Sequence, residues 1–147
     1  MISTISHDML APAAVLALWT LIVLLYMAIV RFSAFKSANI DLAKAPPGGR
    51  GQDLEAVLPK PAMWPAHNYA HLLEQPTLFY PVVILLALLG ATSQTNIMLA
   101  WAYVGLRIVH SIWQIKVNTI PVRFAIFIIS SLVLIVLAVN AVRATLG

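Results

Sequence analysis

In the run HNYAHLLEQPTLFYP, residues 67 to 81, two histidines and a carboxylate (His67, His71 and Glu74) stand at the head of an otherwise apolar segment. A second run, RIVHSIWQIKVNTIPVR, carries Arg107, His110 and Gln114 and closes on Arg123. At 100° per residue, positions 67, 71 and 74 fall within about 60° of one another, and Tyr103, Arg107, His110, Gln114 and Asn118 share a face in the same way. Each helix is therefore expected to carry a polar stripe. An arginine in mid-span costs at least ~2.5 kcal/mol and must face a bundle interior, a partner or a wet cavity. The most economical partner for Arg107 is Glu74. Pro76 sharpens the pattern, because its missing N–H frees the carbonyl of Leu72 and bends the helix, and Pro81 repeats the effect about a turn and a half later. His67 and His71 are spaced i, i+4 as in helical zinc sites, and His71, Glu74 and His110 form an alternative metal set, but the surrounding H-E-x-x-H pattern is missing and no metal is expected.

The elements that must hold these groups are membrane helices. Of 147 residues, 61% are hydrophobic and 10% charged, with a mean hydropathy of +0.91, far from the roughly 45–50% apolar and 25% charged norm of soluble domains. Four stretches, Pro12–Val30, Leu72–Leu89, Ile97–Ile115 and Val122–Val142, approach the ~20 residues that a ~30 Å hydrocarbon core requires. The expected architecture is all-α: one domain over residues 1–147, an integral membrane four-helix bundle of antiparallel up-down spans at about 12–30, 68–89, 96–116 and 122–143, with a loop at 31–66. The segment before the first span carries Asp8 and no Lys or Arg, so that span reads as retained rather than as a cleavable signal. The long loop holds Pro46-Pro47-Gly48-Gly49 and suits a lid or a membrane-surface segment.

Charge assigns direction. Arg31, Lys36, Lys44, Arg50 and Lys60 lie in the long loop, Lys116 and Arg123 flank the third connection, and Arg143 stands alone on the other side. The positive-inside rule then predicts cytoplasmic basic loops and both termini on the non-cytoplasmic side. A net charge of +4 thus speaks of orientation, and nucleic acid is not an expected partner. With no cysteine, thiol chemistry has to come from a ligand. The tryptophans 19, 64, 101 and 113, with Tyr26 and Tyr80, read as interfacial belt and packing residues.

Taken together, these runs make the chain resemble the MAPEG family, the membrane-associated proteins of eicosanoid and glutathione metabolism, and in particular its small bacterial members. In that family span two opens with Arg-x-x-x-Asn-x-x-Glu and an early proline; span three carries Arg-x-x-His or Arg-x-x-Tyr with an aromatic residue a turn later; and an arginine heads span four. Those positions fall on His67, His71 and Glu74, on Arg107, His110 and Gln114, and on Arg123, with histidine replacing arginine at 67 and asparagine at 71, and glutamine replacing tyrosine at 114. The resemblance implies a homotrimer in the bacterial inner membrane, glutathione as co-substrate held between subunits at the cytoplasmic side, and a lipophilic second substrate from the bilayer.

It implies roles as well. A fixed cation next to a thiol with a pKa near 8.5 favours the thiolate, and arginine keeps its charge; Arg123 is the expected catalytic group. Arg107, His67 and His71 would meet the carboxylates of the tripeptide, Glu74 would hold its amino group or orient Arg107, and Arg31, His110 and Gln114 would complete the lining. The expected function is a membrane-bound glutathione-dependent transferase or peroxidase acting on lipophilic electrophiles. The alternatives are a non-catalytic lipid-binding protein on the same fold and a small transporter or proton relay. Transporter folds favour broken helices in symmetric halves, and Pro76 and Pro81 have no counterpart in spans three or four.

Overall fold

The computed structural model describes residues 6–147, which form five helices and two short 3₁₀ turns with no strand among them. Helix α1 spans His7–Ser37, α2 Lys60–Leu72, α3 Pro76–Leu88, α4 Gln94–Lys116 and α5 Ile120–Leu146, and the 3₁₀ turns are Leu42–Lys44 and Gly51–Ala56. Pro12 lies in the first part of α1, a helix that runs on past Arg31 to Ser37 and stops where Asn39 takes a left-handed φ of 53°. The first helix is thus longer than the apolar run that predicts it, because nothing between Arg31 and Ser37 breaks a helix.

The expected second span is in fact two helices. Leu73, Glu74 and Gln75 form a turn between α2 and α3, and Pro76 opens α3 as a first-turn proline. Proline offers no N–H to the preceding turn and crowds its carbonyl, so the ladder breaks there instead of bending. At the other end α2 begins at Lys60, well ahead of the expected position 68, because Pro61 in the first turn suits a helix start. Gly90, with φ 68°, ends α3: its N–H reaches the carbonyl of Ala87, and that of Ala91 reaches Leu86 at 3.0 Å, a left-handed glycine cap. Ser93 then caps α4 by accepting the N–H of Asn96 at 3.3 Å.

Inside the bundle, Met9, Leu16 and Val23 from α1 meet Leu72, Phe79, Val83 and Leu86 from α2 and α3, Tyr103 from α4, and Leu134 and Leu137 from α5. Outside it, Leu18, Leu25, Ile29, Phe124 and Ile135 are among many large apolar side chains left exposed, far more than a soluble monomer presents. Three helical stretches are long and apolar enough to cross a membrane: His7–Ser37, the α2–α3 pair Lys60–Leu88, and Ile120–Leu146. Helix α4, 23 residues long, has the length, but its polar stripe keeps it out of that set; it packs against α1, α2 and α5. The loop after α1 has a small core of its own, Phe35, Leu58 and Met63 with Ile40 and Leu54 against them.

Candidate functional site

The polar stripe of α4 faces inward. Tyr103, Arg107 and Ser111 have no exposed surface, and His110 and Gln114 are almost as enclosed. Arg107 does not pair with Glu74. Its Nη2 donates to the backbone carbonyl of His71 at 2.9 Å, while Nε and Nη1 have no protein acceptor. The break before Pro76 explains the difference: with α2 ending at Leu72, carbonyls of its last turn lack helical partners, and Arg107 takes the one at His71. Glu74 falls in the connecting turn, its side chain 67% exposed, and its Oε2 lies 2.9 Å from His71 Nδ1.

Around this point the structure gathers polar residues that the stripe argument alone does not reach. Asn68 is fully buried and donates from Nδ2 to Ser111 Oγ. Gln75 accepts the hydroxyl of Tyr103 at 3.2 Å and donates to Ser131 Oγ at 2.7 Å, which ties the α2–α3 turn to α4 and α5 beside the stacked rings of Phe79 and Tyr103. The available signal is the one that singles out His71 and Glu74, a polar residue in an apolar run.

The remaining candidates separate into two clefts. His71, His110 and Arg123 line one of about 190 Å³, walled by Ile120, Phe124 and Phe127. The rings of His71 and His110 are 5.0 Å apart and that of Phe127 lies 5.5 Å from His71. Arg123, half-buried at the start of α5, donates from Nη1 to Asn118 Oδ1, and its Nε is enclosed without an acceptor. Asn118 itself has a left-handed φ of 59° and turns the chain between α4 and α5, so the backbone that ends one helix presents the side chain that steadies Arg123.

Arg31 and His67 line the second cleft, about 290 Å³, together with Met27, Gly51, Gln52, Glu55 and Tyr69. Here the loop folds back: Glu55 Oε1 meets His67 Nε2 at 2.8 Å, and a Cβ on Gly51 would stand 3.1 Å from Arg31 Nη1, so the loop backbone lies directly on the guanidinium. A smaller hollow of about 220 Å³, lined by Glu55, Lys60, Met63, Trp64, His67 and Asn118, lies between the two. It shares Glu55, Met63 and His67 with the Arg31 cleft and reaches Arg123 through Asn118. Arg31, His67, His71, His110 and Arg123 thus border three neighbouring hollows, Glu74 faces outward beside them, and Arg107 and Gln114 are sealed. Among the described residues no three His, Asp or Glu side chains are grouped to hold a metal ion.

The sequence model of the MAPEG family fits residues 9–143. The chain belongs to the MAPEG family. Neither the curated proteins nor the solved structures gave a match. Family membership and the three apolar helices make it a membrane protein. In this MAPEG chain the hollows offer two guanidinium groups, each with an enclosed Nε that has no protein acceptor. Such groups bind carboxylates in planar, paired fashion and hold a negative charge in an apolar setting.

Proposed function

We propose that the chain is a membrane-bound glutathione-dependent transferase or peroxidase acting on lipophilic electrophiles, with glutathione held along the hollows from Arg31 to Arg123. The observation that carries the reading is the pair of arginines on that line, each with an unpartnered Nε, in a MAPEG chain that has no thiol of its own. A tripeptide with two carboxylates and a thiol supplies what they lack. Arg31 and His67 would take a carboxylate at one end, His71 and Glu74 would meet polar groups in the middle, and Arg123 would stabilise the thiolate beside the apolar wall of Phe124 and Phe127. Arg107 acts from behind, holding the His71 carbonyl and so the orientation of that side chain; His110 and Gln114 complete the layer around it.

In this reading α4 is also a span, the third in chain order, with its polar stripe turned into the bundle, and the assembly is a homotrimer. Glu74 supports it: the carboxylate stands near the head of an apolar run, and its side chain is 67% exposed on the single chain. A carboxylate at that depth must face protein or water, which a neighbouring subunit supplies.

Thermal shift of detergent-solubilised protein with glutathione tests the reading. Saturable stabilisation is expected, and millimolar glutathione without effect on the wild type refutes it. For Arg123, ultraviolet difference spectra report the thiolate; Arg123→Ala is expected to lose most of that absorbance, and equal absorbance in both proteins would clear the residue. A second reading, a non-catalytic lipid-binding member, draws on the histidines at 67 and 71 and on Gln114, sealed and with its Oε1 unpartnered. It takes the lead if lipid binds and glutathione does not.

A further inference from the structure

A fourth cleft lies away from those hollows and shares no residue with them. It is about 200 Å³, set between α1 and α4, and lined by Trp19, Ile22, Val23, Tyr26, Ile112, Ile115 and Lys116. No carboxylate lines it, and Lys116 has no acidic partner within 4.0 Å among the described residues. Lys116 Nζ lies 5.7 Å from the centre of the Tyr26 ring, a cation held over an aromatic face.

The layout is that of an amphiphile in negative. Trp19 and Tyr26 are two turns apart, so the apolar trough runs about 10 Å along α1, a large part of one leaflet of a ~30 Å core. One end is capped by a single cation at the last residue of α4; the rest is hydrocarbon and aromatic. Drug-sized ligands occupy roughly 300–1,000 Å³, and this smaller trough suits one alkyl chain. Helix α1 is apolar enough to cross the membrane, with Leu18, Leu25 and Ile29 exposed on it.

We propose that the α1–α4 cleft is a binding site for an anionic phospholipid, one acyl chain against Trp19, Ile22 and Ile112 and the phosphate on Lys116. Charge complementarity selects this occupant: a zwitterionic headgroup brings its own cation to a lysine that needs an anion. One lysine near an anionic headgroup is expected to give a preference of about fivefold.

Native mass spectrometry of the wild-type protein, incubated with equal amounts of dioleoyl phosphatidylglycerol and dioleoyl phosphatidylcholine, tests it directly. Phosphatidylglycerol should be retained in about fivefold excess, the excess should vanish in Lys116→Gln, and Ile112→Trp, which fills the trough, should cut retention. A second measurement needs no altered lysine: brominated phosphatidylglycerol should quench tryptophan emission more than brominated phosphatidylcholine, and the difference should disappear in Trp19→Phe. Equal retention of the two lipids by the wild type overturns the proposal, as does an undiminished preference in Lys116→Gln. Cross-linking of Ile22→Cys to a second copy, with no lipid retained, would give the cleft to a subunit contact and overturn it equally.

Discussion

Arg107 is the residue whose environment differs most from a simple charge-pair picture. It is a fully enclosed guanidinium with one backbone acceptor and no carboxylate in contact. Removing it opens a void and leaves the His71 carbonyl without its donor, which costs about 1–3 kcal/mol for an unsatisfied buried group before packing loss is added. Arg107→Ala should therefore lower the thermal midpoint of the solubilised protein in the absence of any ligand. An unchanged midpoint would show that the contact contributes nothing. The polar layer was legible in the sequence as a set of residue types at one depth, since His71, Arg107 and His110 do converge. The partner of Arg107 was not, because pairing by charge ignores the backbone acceptor that the end of α2 leaves open at His71. Nor was the separation of His67 from His71. Both lie on one face of α2, but the loop carboxylate of Glu55 draws His67 to the Arg31 side, a long-range contact that no local periodicity encodes.

Among the elements, the ends of α3 and the middle of α4 give opposite expectations for one substitution. Gly90 has φ 68° and open space around a would-be Cβ, so Gly90→Ala should destabilise by about 1 kcal/mol through backbone strain alone. Gly105, inside α4 and equally open, should stabilise the helix by about 0.5–1 kcal/mol on change to Ala. Thermal melts of the two variants side by side check both signs. Destabilisation by Gly105→Ala would mean that another helix packs against that glycine in the assembly, as small residues permit. Helix ends were readable from hydropathy to within a few residues for α4 and α5, whereas α1 starts five residues before and ends seven residues after its apolar run at 12–30. The second span was not, because an apolar run reports burial and says nothing about whether a proline bends or breaks the helix within it.

At the scale of the whole molecule, the large outward apolar surface and the exposed Glu74 both call for something outside the chain. Since there is no native cysteine, Glu74→Cys supplies a single reporter. A short bismaleimide should link that variant into dimers in membranes, whereas Leu18→Cys, on an exposed part of α1, should link less. Monomers alone from Glu74→Cys would count against the trimer. The protein also contains a helix that is poor in the one property a translocating segment is sorted by. Helix α4 buries an arginine, a histidine and a glutamine, so on its own it would be expected to partition poorly into lipid. In the four-span reading proposed above, its entry during synthesis is expected to be cooperative, carried by the strongly apolar α5 that follows, with the His71 carbonyl at the end of α2 as its acceptor. A chain truncated before Ile120, and so lacking α5, should accordingly leave α4 outside the bilayer, which makes the last helix the chaperone of the one before it.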